Sequence, residues 1–349
     1  MSDDTLRKSE GPAVWYAPDM VRDHAWQHVL DDRHIAELNN ALEQLGDARD
    51  IATVKRSDVT LPTLDVLLGT ISDEVLHGRG FALLRGLPVE RWTRRQSALA
   101  YWIIGSRIGV AVPQNAQGHV LGHVRDLGLD PNAPMTRIYT TAARQEYHTD
   151  SCDIVALLCL CGARSGGASA IASSTTIWNE VLEQRPDLAK ILTEPFHTDR
   201  KGEIPPGKQA TYPMPVFHDH AGEITGVYAR SFIEAAQTRP DTPGHTPLQI
   251  EALDRVDGLA ESDAIRLDME FRPGDMQLLH NHQILHARTS YEDWPEPERK
   301  RHLLRLWLSA HDGRELPHWF AERYGSIARG TVRGGIRVDG QSLTAPLEP

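Results

Sequence analysis

The segment Glu146-Tyr147-His148-Thr149-Asp150 sets an imidazole and a carboxylate two residues apart, directly before an apolar run of strand length. Alternate residues of an extended chain point the same way, so His148 and Asp150 present two metal donors side by side. One more histidine from elsewhere would complete a three-donor face and leave the opposite coordination positions open, an arrangement suited to oxygen chemistry at Fe(II). A His-x-Asp pattern alone is weak evidence, since a helix cap or a surface pair gives the same three letters. The stretch Pro273 to Arg288 supplies three candidates for the distal donor, His280, His282 and His286. All three have the same parity, so spacing does not choose among them. Farther on, Arg301 and Arg305 lead into an apolar run that ends near Ser309. A guanidinium stays charged and grips a carboxylate with a planar fork, which is what a buried dicarboxylate requires.

These residues need elements to hold them. Apolar residues at helical spacing predict helices over 35–45, 64–76 and 97–108, and another over 177–192. The glycine-bracketed run 80–88, the continuous apolar run 154–161 and the segments 169–173, 225–228, 265–271, 275–279 and 302–309 read as strands separated by Gly/Pro turns. Many short strands packed by helices from the first third predict a mainly β (α+β) fold, with a jelly-roll core in place of alternating β-α-β units.

Taken in order, Gly80-Phe-Ala-Leu-Leu-Arg-Gly-Leu-Pro88, His148-Thr-Asp150, Gly166-Gly-Ala-Ser169, Pro273-Gly-Asp275, Asn281 with His286, and Arg301 with Arg305 resemble the taurine dioxygenase (TauD/TfdA) branch of the Fe(II)/2-oxoglutarate oxygenases over residues 60–312. The resemblance implies a double-stranded β-helix core, Fe(II) as metal, and 2-oxoglutarate and O2 as cosubstrates. It makes His148, Asp150 and His286 the iron ligands and catalytic centre, because the family places its distal histidine five residues after the Asn. It puts Arg301 on the distal carboxylate of 2-oxoglutarate, with Ser169 standing where relatives carry a Thr. Arg305 then faces the active site near the keto-acid end or an anionic substrate group. Arg144 stands where taurine dioxygenase has an Asn that contacts substrate, and Gln114, Asn115, Tyr147 and Arg230 are further pocket candidates. The implied reaction is oxidation, most simply hydroxylation, of a C–H bond in a small anionic or zwitterionic molecule, with release of succinate and CO2. A non-catalytic cupin-like binding protein and a zinc hydrolase are the competing readings.

Composition bounds the rest. The chain has 349 residues and a net charge of −11, which argues against a nucleic-acid surface and requires a local basic pocket for any anion. Cys152, Cys159 and Cys161 form no C-x-x-C pair and read as reduced core thiols. The polar start and the lack of a long apolar run predict a cytoplasmic protein with no membrane partner. We expect an amino-terminal arm over residues 1–30, a single oxygenase domain over 31–349, and homo-oligomers as the resemblance implies. His119 and His123 lack the Glu of a zinc-protease helix and read as a loop near the site mouth. His218 and His220 read as exposed turn residues.

Overall fold

The computed structural model describes residues 6–133, 136–204, 207–338 and 340–349. Its main sheet runs in the order Gln27–Val29, Phe81–Arg85, Met276–His280, Ile154–Cys161, His302–Ala310 and Gly109–Ala111, with Gly122–Val124 also paired to His302–Ala310. A second sheet carries Leu267–Met269, Ser169–Ser173, Ile284–Arg288 and Gln145–His148.

Side-chain alternation assigns the two faces of each sheet. Phe81, Leu83, Val155 and Leu279 cluster with Ile171, Leu267, Met269 and Ile284 from the second sheet, which fills the space between the sheets. Their neighbours Ala82, Leu84, Ala156 and Leu278 point the other way, onto the helices Asp32–Leu45, Leu64–His77 and Arg94–Ile108. Ala170, Ala172, Leu285 and Ala287 likewise meet the helices Ser174–Gln184, Pro186–Leu192 and Pro247–Ala260. Two facing sheets clad by helices on both sides form the double-stranded β-helix anticipated from the sequence. The 154–161 run has no polar alternation because both its faces are covered.

The helix expected over 177–192 is two helices, since Pro186 has no N–H to continue the ladder and instead opens the second at its first turn. The helix Pro247–Ala260 was not anticipated, although its Thr246-Pro247…Gln249 capping box is a readable start signal. The amino-terminal arm is packed against the rest of the fold over its described part. Trp15 and Trp26 are buried, Gln27–Val29 adds a parallel strand beside Phe81–Arg85, and the indole of Trp178 donates to the carbonyl of Arg7. Among the described residues no helix is long and apolar enough to cross a membrane.

Two histidine expectations are corrected. His218 is buried in the hairpin strand Phe217–His220, and the exposed turn follows that strand at Ala221-Gly222, both at positive φ. His123 is buried too, in the strand Gly122–Val124 and not in a loop, hydrogen-bonded to His302 at 2.8 Å and to the carbonyl of Pro346.

Candidate active site

Strand register builds the site. In the second sheet His286 lies opposite both His148 and Ile171, and Arg288 lies opposite Ser169, so these four polar side chains face the space between the sheets. From the main sheet, the odd-numbered residues Arg301, Leu303, Arg305 and Trp307 face the same space, while Leu304, Leu306 and Leu308 face the helices.

One donor atom each from His148, Asp150 and His286 lie within 4.8 Å of one another. His148 Nδ1–H donates to the carbonyl of Glu146 at 2.8 Å, which leaves Nε2 as the acceptor; it lies 2.8 Å from the amide nitrogen of Gln145 and 4.0 Å from Asp150 Oδ1. His286 Nε2 lies 3.8 Å from Asp150 Oδ2. Burial lowers the pKa of both imidazoles, His286 to about 3 with help from neighbouring His148, so both are neutral and able to donate a lone pair. Burial opposes ionisation of Asp150, yet Arg305, His286, His148 and the Trp307 N–H together hold its carboxyl below the usual range. Two neutral imidazoles and one carboxylate are a donor set that fits Fe(II).

The other histidines of the 273–288 stretch are engaged elsewhere. The chain reverses between Met276–His280 and Ile284–Arg288, which breaks the common parity of the three candidates. His280 bonds to Gln283 at 2.8 Å, and His282 Nε2 bonds to buried Asp153 at 2.9 Å. Asp153 also receives Arg333 Nε and the backbone N–H of Ala310. Asn281 accepts from the N–H of Asp150 at 2.8 Å and donates to the carbonyl of Cys152 at 2.9 Å, clamping the ligand loop.

Two cavities meet at this point. A narrow cleft is lined by Ser169, His286, Arg288 and Arg301, and a larger cavity of about 400 Å³ by Asp150, Arg323 and Phe232 among others; Tyr139, Gln145, His148 and Arg305 line both. In the cleft, Arg301 Nη1 and Arg288 Nε and Nη1 are buried without partners. Burial, and then the neighbouring Arg301, push Arg288 down to about 10. Burial likewise lowers Arg301. Gly167 at φ +73 makes room for this guanidinium, since a Cβ there would stand 3.0 Å from Arg301 Nε. Buried cations with unpaired N–H groups fit a dianionic cosubstrate such as 2-oxoglutarate.

Arg305 is fixed on every side. Its guanidinium lies 4.5 Å from the Tyr139 ring and 4.9 Å from that of Trp307, while Nε donates to Gln114 Oε1 at 2.7 Å. Gly122 leaves space for this amide, because a Cβ there would approach Gln114 Oε1 to 2.4 Å.

Of the remaining sequence candidates, Arg144 and Arg230 line the large cavity but are neutralised. Arg144 pairs with Glu146 and Glu261, and Arg230 with Glu234, Asp254 and Asp257. Tyr147 borders the cavity, but its ring packs in the helix-facing cluster, on the opposite side of the strand from His148. Asn115 lines neither cavity; its side chain accepts from the N–H groups of Gln117 and His119 and serves the local turn. Tyr139, Gln145 and Arg323 are not among the site residues expected from the sequence, and Trp307 reads there only as a core residue. Only Trp307, of the same parity as Arg305, carried a signal that could have found it.

The family model for the taurine catabolism dioxygenase TauD, TfdA family matches residues 41–307. The chain is 32% identical over 314 residues to FR-33289 synthase of Streptomyces rubellomurinus, covering 88% of this chain and 92% of that one. It is 30% identical to a taurine hydroxylase-like protein of Stachybotrys chartarum, covering 84% and 77% of the two chains. An asparagine oxygenase crystallised with Fe(II), 3-hydroxyasparagine and succinate shares the fold at a TM-score of 0.61 and 16% identity, over 81% of this chain and 93% of that one. The chain therefore belongs to the TauD/TfdA family and is an Fe(II)- and 2-oxoglutarate-dependent dioxygenase.

Proposed function

We propose that His148, Asp150 and His286 hold the iron, that Arg301 with Ser169 and Arg288 holds the distal carboxylate of 2-oxoglutarate, and that the large cavity holds a small anionic or zwitterionic substrate. The observation carrying this reading is the position of the three donors at the junction of the two cavities. Bound Fe(II) with 2-oxoglutarate supplies the oxidising power. The net reaction joins substrate C–H, O2 and 2-oxoglutarate to give C–OH, succinate and CO2, so one oxygen atom of O2 enters the hydroxylated product and the other enters succinate.

The chain's own residues do the positioning. Trp307 and Arg305 keep Asp150 ionised and orient its carboxylate, and the Glu146 carbonyl selects the His148 tautomer. Arg301 meets the cosubstrate with a donor already stripped of water, so the dehydration cost is met in folding and not in binding. Arg305, stacked between two rings and held by Gln114, directs a fixed positive charge at the junction. The asparagine oxygenase crystallised with hydroxyasparagine gives the size class of substrate that such a fold accepts.

The test is succinate formation with the purified chain, Fe(II) and 2-oxoglutarate over a panel of small acids and amino-acid derivatives. The expected result is turnover that requires both iron and 2-oxoglutarate and is lost in His148→Ala. Coupled turnover that persists in this variant overturns the ligand assignment.

A further inference from the structure

The large cavity is rich in charge, and pairing its charges leaves a remainder. Arg137 pairs with Glu203, Arg200 with Glu322, and Arg305 lies against Asp150, in addition to the pairs of Arg144 and Arg230. Among the described residues, two cations of the lining have no carboxylate partner, Lys201 and Arg323.

The acids closest to them in sequence are already engaged. Glu322 precedes Arg323, but its Oε1 accepts from Arg200 at 2.6 Å and its Oε2 from Lys208 at 2.7 Å. Asp199 lies two residues before Lys201, but its Oδ2 accepts from Arg239 and its Oδ1 from the backbone N–H of Lys201. The Arg200–Glu322 bridge joins the two segments, so Lys201 and Arg323 follow directly on from its two ends. Arg323 is also close enough to Arg200 to lower the pKa of that guanidinium, second to burial.

Arg323 is tied to the reaction centre as well. Its Nε donates to Ser151 Oγ at 2.9 Å, one residue beyond Asp150. That bond sets the plane of the guanidinium and leaves both terminal nitrogens for a fork-like contact. Lys201 rests its ammonium 5.6 Å from the Phe232 ring, on a backbone held at φ +49. Tyr212, Met214, Val227 and Ile233 supply apolar wall nearby. In a chain of net charge −11, two cations kept clear of acids in a half-enclosed pocket form a local positive field.

We propose that Arg323 and Lys201 form a substrate subsite for a dianionic tetrahedral oxyanion, carried by an alkylphosphonate or a phosphate monoester whose carbon chain runs toward His148 and Asp150. Two unpaired charges match a dianion, whereas a carboxylate or sulfonate would neutralise only one. This inference rests on the reading of the large cavity as the substrate site.

The test is calorimetric titration of the full chain with propylphosphonate, propyl phosphate, butyrate and propanesulfonate without oxygen, in the presence and absence of Fe(II) and 2-oxoglutarate. The iron-free arm reports on the subsite even if the iron-ligand assignment fails. The expected result is saturable binding of one or both dianions at least ~10-fold tighter than of the monoanions, weakening as salt rises. The preferred dianion identifies the carrier. Arg323→Gln and Lys201→Gln each weaken it by about 10-fold, Arg323→Lys retains most of it, and Arg329→Gln, which removes a surface charge paired with Asp312, leaves it unchanged. The proposal is overturned by equal binding of the monoanions, by absence of saturable dianion binding, by unaltered binding in a folded Arg323→Gln protein, or by an equal loss in Arg329→Gln.

Discussion

The indole N–H of Trp307 donates to Oδ2 of Asp150 at 2.9 Å, the same oxygen that faces His286 Nε2 at 3.8 Å. One strand thus orients a carboxylate on the loop that follows Gln145–His148, and it does so from the parity that also carries Arg305. Trp307→Phe keeps an aromatic ring and removes only the donor. The expected result is ~10–100-fold weaker iron binding with little change in melting temperature, read by metal titration of the apoprotein. Unchanged iron affinity would show that the indole only packs.

Arg301→Gln should raise the Kd for 2-oxoglutarate by ~10–100-fold, since it replaces a buried charged donor. Arg288→Gln should raise it too, by a smaller factor, because Nη2 of Arg288 also donates to the carbonyl of Thr141 at 3.0 Å. Binding measured with the anaerobic iron-loaded protein separates this effect from catalysis. A neutral outcome at Arg288 would confine the cosubstrate contact to Arg301.

Gln114→Leu removes the acceptor that fixes Arg305 Nε. The cosubstrate Kd should stay near wild type while the substrate KM rises by about 10-fold, as expected for loss of a hydrogen bond to a charged group. A rise in the cosubstrate Kd with an unchanged substrate KM would place Arg305 on 2-oxoglutarate alone.

Asp153, His282 and Arg333 form a buried polar network at the end of the ligand loop. Asp153→Ala leaves the Arg333 guanidinium buried without its partner and should cost ~3–5 kcal/mol in denaturant unfolding. A loss below 1 kcal/mol would mean that water takes the place of the carboxylate.

Burial holds His218 at a pKa of about 3 in the folded protein, against ~6.5 for an exposed imidazole. As pH falls, the unfolded chain therefore binds a proton first. The stability from this residue is complete above about pH 6.5 and drains as pH falls toward about 3, with a limiting slope of ~1.4 kcal/mol per pH unit. His218→Phe should flatten that part of the acid limb in chemical denaturation. Parallel wild-type and variant curves would refute the prediction.

The sequence by itself determined what is local. His148 and Asp150 share a side because two residues of extended chain return to the same side, and Arg301 and Arg305 share one for the same reason. The short apolar strands and their turns made the β-core legible, and the ordered motifs identified the family. Tertiary structure decided whatever depends on distant partners. Spacing left His280, His282 and His286 equivalent and only the resemblance singled out His286; what separates their side chains in space is a chain reversal and Asp153, more than a hundred residues upstream in the sequence, which engages His282. Arg144 and Arg230 look available in one dimension, yet Glu261, Asp254 and Asp257 neutralise them across the fold. Arg323, invisible as a motif, is left unpaired because Arg200 and Lys208 occupy the carboxylate beside it. Coulomb energy falls off with distance in space, not along the chain, so the unpaired charges of a pocket emerge only once the chain has folded.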